Sequence, residues 1–184
     1  CQEAAETGGE SIYADGFAAA YELLRRHPHW FDVLCTVPVS TRDDTPCWQL
    51  MAQRPMIELT RDSTYKSTGV GDTINSGSTT SITRHVSVTI LRITDNAGAR
   101  DASSTSHLPT EWYEAYTAYR NILEEMSARY VFKMQPGDIT MFDNWRVFHG
   151  RNSFDKRSGR CMHGLYAMRS HLHSAMRMLE MSLM

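Results

Sequence analysis

The stretch FDNWRVFHGRNSF, residues 142–154, contains an acid, an amide, a tryptophan, a histidine and two arginines within thirteen positions. A strand in a hydrophobic core would not need so many polar groups. The stretch therefore predicts a strand that ends at a functional site, with His149 as a candidate metal ligand. An isolated histidine is more often structural, so this interpretation depends on the residues around it.

The segment that follows His149 predicts a hairpin. Residues 150–159 form the loop, and GRCMHGLYAM (159–168) forms the returning strand. An antiparallel return brings His149 and Arg160 close together at the mouth of the loop. Alternation places Tyr166 on the face of Arg160. A metal-binding imidazole beside a guanidinium suits a 2-oxo dicarboxylate, because arginine clamps a carboxylate in a bidentate geometry. The other face of the returning strand carries Cys161, His163 and Leu165.

Helical periodicity appears in four places along the chain. Asp15 is a good N-cap for a helix in GFAAAYELLRRH (16–27), which ends at the following proline. HWFDVLCTV (29–37) predicts a second short helix, and the tail from 170 to 184 predicts another. The strongest helix lies in 108–130, with Thr110 as its cap. Its apolar stripe consists of Trp112, Tyr116, Tyr119, Leu123 and Met126.

Strands are predicted between these helices. A first short strand lies around Ser11–Ala14, after the Gly-Gly turn, and the others are at 54–59, 85–93, 130–134, 138–143 and 159–168. Residues 60–84 are rich in Ser, Thr and Gly without apolar periodicity, which predicts a long flexible loop or an insertion. The fold class predicted is mainly β with helical insertions, as in a β-sandwich or barrel.

Composition limits the class of protein. The 184 residues suffice for one domain with its own core, and a net charge of −2 does not favour nucleic acid as a partner. No apolar stretch approaches the roughly 20 residues of a membrane span, so no membrane partner is expected. The four cysteines contain no CxxC pair and predict free thiols in a reducing, intracellular compartment, mitochondrial or cytoplasmic.

Two motifs resemble one family. PGDITMFDNWRVFHGR (136–151), followed by Arg160, resembles the C-terminal part of the Fe(II)/2-oxoglutarate dioxygenases of the TauD-like superfamily, in their carnitine-biosynthesis branch. TGGESIYADGFAAA (7–20) resembles the same branch. The resemblance implies a double-stranded β-helix (jelly roll) that is incomplete at its N-terminus. Residues 1–184 would be the C-terminal portion of one dioxygenase domain.

The resemblance also implies roles for individual residues. His149 matches the distal iron-binding histidine, and Arg160 matches the arginine that pairs with the far carboxylate of 2-oxoglutarate. Ser11 matches a hydroxyl that assists there. Tyr166 matches an aromatic residue around a trimethylammonium group, which is held by π-faces because it cannot donate a conventional hydrogen bond. Asn96 matches a substrate-contacting amide with an imperfect spacing.

The activity that the resemblance implies is hydroxylation of trimethyllysine, with Fe(II), 2-oxoglutarate, O₂ and ascorbate. The implied partner is a small molecule with a quaternary ammonium group, and the implied assembly is a homodimer. Three alternatives stay open. The first is hydroxylation of γ-butyrobetaine, and the second is a non-catalytic, iron-free relative that acts as a binding module. The third is an unrelated jelly-roll binding domain in which the match to the DNW and HGR residues is due to chance.

The metal-ligand pattern departs from the family. Its iron site consists of two histidines and one carboxylate, and the first two ligands come from an H-x-D or H-x-E motif. None of the eight histidines is followed two positions later by Asp or Glu. In the family that motif lies upstream of the GGES turn, so the partners of His149 are expected upstream of Cys1. We therefore expect residues 1–184 alone to lack a working iron site.

Overall fold

The computed structural model describes residues 1–44, 47, 49–60, 90–93, 108–126, 129–155 and 157–183. These residues form two compact units, each described here by itself. The terminal unit consists of Cys1–Ser11, Phe132–Thr140 and Arg151–Met184. The helical unit consists of Ile12–Val131 and Met141–Gly150.

Seven strands and four helices occur in the described residues. In chain order they are β1 (Ser11–Asp15), α1 (Gly16–Arg26), α2 (Pro28–Thr36), β2 (Pro38–Asp44), β3 (Gln49–Pro55), β4 (Ile57–Leu59), β5 (Ile90–Ile93), α3 (Thr110–Glu125), β6 (Tyr130–Phe132), β7 (Val147–Arg151) and α4 (Arg169–Ser182). The strands form a three-stranded sheet in the order β6-β1-β7 and two pairs, β2-β3 and β4-β5. Both pairs are antiparallel.

Local chemistry explains where the helices begin and end. The carboxylate of Asp15 accepts hydrogen bonds from the amides of Phe17 and Ala18, which confirms it as the N-cap of α1. Pro28 is the first residue of α2. A backbone N–H at this position would have no acceptor within the helix, so proline is tolerated there. The predicted cap at Thr110 is wrong. Thr110 is the first residue of α3, and the cap position belongs to Pro109, which has no side-chain donor or acceptor.

The hydrophobic core of the helical unit lies between helices α1, α2 and α3 and strands β4 and β5. Leu23, Phe31, Leu34, Ile57 and Tyr119 are completely buried in it. The stripe predicted for α3 is confirmed, because its members are buried or pack against this core. The phenol of Tyr119 donates to the carbonyl of Gly16 at 3.1 Å, which satisfies its polar atom inside the core.

Strand β1 pairs antiparallel with the region of β7, over a long separation in sequence. In the helical unit, the amide of Gly16 donates to the carbonyl of Arg146 at 2.9 Å. The same register sets Tyr13 opposite His149. In the terminal unit, the amide of Asn152 donates to the carbonyl of Glu10 at 2.9 Å, and residues 8 and 154 form an antiparallel bridge. The two sequence motifs are thus hydrogen-bonded neighbours.

Two of the predicted strands are wrong. Residues 138–143 are not a strand, and the side chains of Ile139 and Met141 are each 91% exposed. Residues 159–168 have one bridge, at Cys161, while Leu165 is 98% exposed. Alternating apolar residues form a strand only where a neighbouring strand takes up the backbone bonds. Within the described ranges, residues 138–143 belong to no strand pair, and residues 159–168 are bridged at Cys161 alone.

The remaining strand predictions are partly confirmed. The stretch 54–59 is divided between β3 and β4, and only the last part of 85–93, strand β5, falls in the described residues. The β2-β3 hairpin was not predicted, because its sequence is largely polar. Residues 61–84 of the predicted loop lie outside the described residues.

The observed sheets are antiparallel, as the predicted class requires, but none of them closes into a barrel within the described ranges. Among the described residues, no helix is both long enough and apolar enough to cross a bilayer.

Candidate functional site

His149 lies in β7, in the helical unit. Its imidazole is exposed, and its ring centroid lies 4.7 Å from that of Phe142. The ring of Phe142 in turn meets the ring of Tyr13 edge-on at 5.2 Å. The ring of Phe142 therefore contacts both the imidazole of His149 and the ring of Tyr13.

An ion pair joins the two sequence motifs in the helical unit. The guanidinium of Arg146 donates to both carboxylate oxygens of Asp15, with Nε 3.1 Å from each. The guanidinium also lies over the ring of Phe17 at 5.5 Å. This donation by Arg146 is the main reason that the pKa of Asp15 lies below its usual range, although partial burial opposes it. The pair fixes the start of α1 to the residues just before β7.

The sequence prediction missed this pair. Both residues stood in the quoted motifs, Asp15 in ADGF and Arg146 in DNWR, but only the capping role of the acid was predicted. Gly16, the residue after Asp15, also lies close to β7. A Cβ at this position would lie 2.7 Å from the ring of Phe148, so only glycine allows α1 to start this close to β7. The sequence signal that could have predicted this ion pair is the presence of oppositely charged residues in the two motifs.

In the terminal unit, the Gly-Gly turn lies against residues 153 and 154. Gly8 and Gly9 have φ values of +71° and +74°, a region that L side chains rarely adopt. A Cβ on Gly8 would lie 2.2 Å from the carbonyl oxygen of Ser153. The turn therefore needs its first glycine both for backbone conformation and for this close approach.

Arg160 belongs to the same unit and lies beside that turn. Its guanidinium is 5.4 Å from the ring centroid of Phe154, and its Cδ would be 3.5 Å from a Cβ on Gly9. Arg151 lies over the same ring at 4.5 Å. Among the described residues, no carboxylate pairs with Arg160. The side chain is half-buried against the ring of Phe154.

The remaining candidates are spread over the chain. Ser11, at the start of β1, is 7% exposed, whereas Tyr166 lies outside any helix or strand and is 94% exposed. Asn96 lies outside the described residues. Ser11, Arg160 and Tyr166 belong to the terminal unit and His149 to the helical unit. The predicted proximity of His149 to Arg160 therefore stays a prediction.

A complete metal site is absent from the described part of the chain. No group of three His, Cys, Asp or Glu side chains in the described ranges could hold a metal ion. The described residues thus do not fit the three-ligand set of a non-haem iron centre. His149 is exposed and lies in the middle of β7.

The model of the "Taurine catabolism dioxygenase TauD, TfdA family" matches residues 1–166. The chain is 27% identical to the γ-butyrobetaine dioxygenase of Homo sapiens over 189 residues, covering 98% of this chain and 42% of that protein. It is 27% identical to the mitochondrial trimethyllysine dioxygenase of Rattus norvegicus over 179 residues, covering 97% and 38%. The trimethyllysine dioxygenase of Neurospora crassa is 28% identical over 149 residues, covering 80% and 27%. The chain therefore spans about two fifths or less of the length of these relatives.

Proposed function

Because the chain belongs to the TauD, TfdA family of 2-oxoglutarate-dependent dioxygenases, we propose that it is the C-terminal portion of an enzyme that hydroxylates a trimethylammonium amino acid, trimethyllysine, in carnitine biosynthesis. The observation that carries the proposal is Arg160, a half-buried arginine without a carboxylate partner among the described residues, at the position where the family motif requires a cosubstrate clamp. The relatives named above support the class of substrate.

In this proposal Arg160 binds the far carboxylate of 2-oxoglutarate. A guanidinium presents two parallel N–H donors, which match the two oxygens of a carboxylate. Phe154 stacks on the guanidinium and limits its rotation, so less rotamer entropy is lost on binding. The hydroxyl of Ser11, largely buried, is the proposed second donor to the cosubstrate.

The proposed metal ligand is His149. Bound iron and 2-oxoglutarate, with O₂ and with ascorbate as reductant, would supply the oxidising chemistry of the family. The contribution of this chain is one imidazole, oriented by Phe142. The described residues do not complete the ligand set, so we propose that the other two ligands come from the longer protein, at an H-x-D motif upstream of residue 1.

The proposed substrate contacts are Tyr166 and Asn96. Tyr166 would present its ring face to the trimethylammonium group. Because its phenol is solvent-exposed in the described structure, it is open to a ligand. We propose an intracellular enzyme, mitochondrial or cytoplasmic, that acts as a homodimer on a small molecule.

The test is anaerobic calorimetry with Fe(II) and 2-oxoglutarate, on residues 1–184 and on the protein extended upstream to its own start. We expect 2-oxoglutarate binding only in the extended protein and only with iron present. Arg160→Ala should weaken it by about 2–3 kcal/mol, roughly 30–150-fold. Arg151→Ala is the matched control, since this guanidinium stacks on the same ring. Equal losses in the two variants would contradict the clamp.

Two outcomes favour the alternatives. If the extended protein binds neither ion nor cosubstrate, it is a non-catalytic relative and acts as a binding module. If it turns over γ-butyrobetaine faster than trimethyllysine in a competition assay read by product mass, the substrate assignment is wrong while the dioxygenase assignment stands. Tyr166→Leu should raise KM for the preferred substrate, because an aliphatic side chain has no π-face for the cation.

A further inference from the structure

Three side-chain atoms from two segments of the terminal unit lie close together, and the proposed function uses none of them. The Nε2 of His163 lies 2.6 Å from the Oε1 of Gln2 and 3.9 Å from the Sγ of Cys161. The Sγ of Cys161 is 3.4 Å from the same oxygen of Gln2. A thiol, an imidazole and an amide oxygen thus form a small triangle.

The backbone explains this arrangement. Cys161 forms an antiparallel bridge with Glu3, and its carbonyl accepts from the amides of both Gln2 and Glu3. Two residues on one segment therefore oppose one on the other, which is the pattern of a β-bulge. Residues 161 and 163 are two apart in sequence, and the Sγ and Nε2 atoms of their side chains lie 3.9 Å apart. The bulge holds the Gln2 side chain beside these two atoms.

The same contacts argue against a nucleophile activated by a general base. The amide oxygen of Gln2 can only accept, so the Nε2 that faces it carries the hydrogen in the resting imidazole. That nitrogen then has no lone pair for the thiol proton of Cys161.

We propose that Cys161 and His163 bind a soft divalent cation of the zinc class, which replaces the hydrogen bond between the Nε2 of His163 and the oxygen of Gln2. In a tetrahedral zinc site, with Zn–S about 2.3 Å and Zn–N about 2.1 Å, sulfur and nitrogen are about 3.6 Å apart. The observed 3.9 Å is close to that spacing. Water would fill the positions that protein does not.

Binding of the metal ion releases one proton from the site. The thiol of Cys161 loses its proton to the buffer when the metal–sulfur bond forms, and the imidazole proton moves to Nδ1 so that Nε2 can ligate. Cys161 is half-buried and His163 exposed, so a hydrated cation can reach both. A thiolate ligand also separates this site from an iron centre of histidines and carboxylate.

The experiment is a titration of the reduced chain with Cd²⁺, read by the thiolate-to-cadmium charge-transfer absorption in the ultraviolet. We expect one equivalent to develop the band in the parent chain. Cys161→Ser should abolish it, and His163→Gln should weaken cadmium binding at least about tenfold. Far-UV circular dichroism checks that both surface variants are folded.

Two of the other three cysteines, Cys47 and Cys35, are the controls. Cys47→Ser, at an exposed thiol, should leave the band unchanged. Cys35 should not contribute, because burial raises the pKa of its thiol to about 12. A band that survives Cys161→Ser, or an affinity unchanged by His163→Gln, would overturn the site. Since His149→Ala should leave the cadmium band intact, failure here is separable from failure of the proposed iron ligand.

Discussion

The two units of the chain are stabilised by different means. The helical unit contains a core in which Leu23, Phe31 and Tyr119 have no exposed surface. In the terminal unit the buried apolar residues among those described are Ala5 and Met134, and its segments are joined by backbone bridges. Its helix α4 buries no residue within the described structure.

This difference separates the source of stability from the proposed chemistry. Three of the proposed binding residues, Ser11, Arg160 and Tyr166, lie in the unit with little core. Burial of apolar surface is the dominant stabilising contribution to folding. The helical unit should therefore contribute most of the free energy of unfolding. The terminal unit should depend on glycine conformation and hydrogen bonds.

The largest effect is expected in the helical core. Phe31→Ala removes a fully buried ring from α2 and should lower the free energy of unfolding by about 3–5 kcal/mol. Met134→Ala, at the buried methionine of the terminal unit, should cost about 2 kcal/mol, the low end for such a truncation. Urea unfolding followed by circular dichroism measures both. Equal losses of stability in the two variants would contradict the proposed difference between the units.

The terminal unit should instead be sensitive at its glycine turn. Gly8→Ala forces a side chain into a left-handed conformation and against the carbonyl of Ser153, so we expect a loss of about 2–4 kcal/mol. Gly150→Ala is the control, because a Cβ there meets nothing within 4 Å. Hydrogen exchange at the amides of 152–154 should accelerate in the first variant alone. Similar exchange in both would contradict the role of the turn.

The Asp15–Arg146 pair should have a smaller effect. Asp15→Ala removes the cap of α1 and the ion pair and should cost about 1–2 kcal/mol. Asp15→Asn keeps a capping oxygen and should cost less than about 1 kcal/mol, because the pair is partly solvent-exposed.

The pH dependence of the same pair has a definite sign. Because the folded pKa of Asp15 is lowered, its contribution is present above the unfolded value near 3.9 and is lost as the pH falls through the folded value. Unfolding measured between about pH 5 and pH 2 should therefore show a shallower acid loss in Asp15→Asn than in the parent. Identical pH profiles would show that the carboxylate charge is not used.

The smallest effect is expected on α4. Leu172 is 50% exposed, and Leu172→Ser should change the free energy of unfolding by no more than about 0.5 kcal/mol. Measurements at two protein concentrations serve as the control. A loss above about 1 kcal/mol, greater at the higher concentration, would indicate that a second copy covers this face.

The sequence predicted the elements whose signals are local. The cap at Asp15, the stop at Pro28 and the stripe on α3 depend on neighbours within one or two turns, and the first two helices and the tail appear where periodicity placed them. Thr110 failed as a cap because the backbone turned helical one residue earlier than its side chain suggested.

The features that were missed depend on distant partners. Residues 138–143 alternate like a strand, yet pairing and not alternation decides whether a strand forms. The Asp15–Arg146 pair and the triangle of Gln2, Cys161 and His163 join residues from opposite ends of the chain. For the candidate site, the sequence predicted which residue types to expect, but it could not predict that the two motifs pair or that Phe142 contacts His149.

The pairing of β1 with β7 has a kinetic consequence. Asp15 and Arg146 are 131 positions apart in sequence, so this contact can form only after most of the chain has been synthesised, and it raises the contact order that slows folding. Loop-closure entropy grows only with the logarithm of length. A segment of about 25 residues added between the two strands therefore costs about 0.2 kcal/mol. The middle of this chain can gain or lose such a segment over evolution with almost no penalty to the strand pairing that joins its ends.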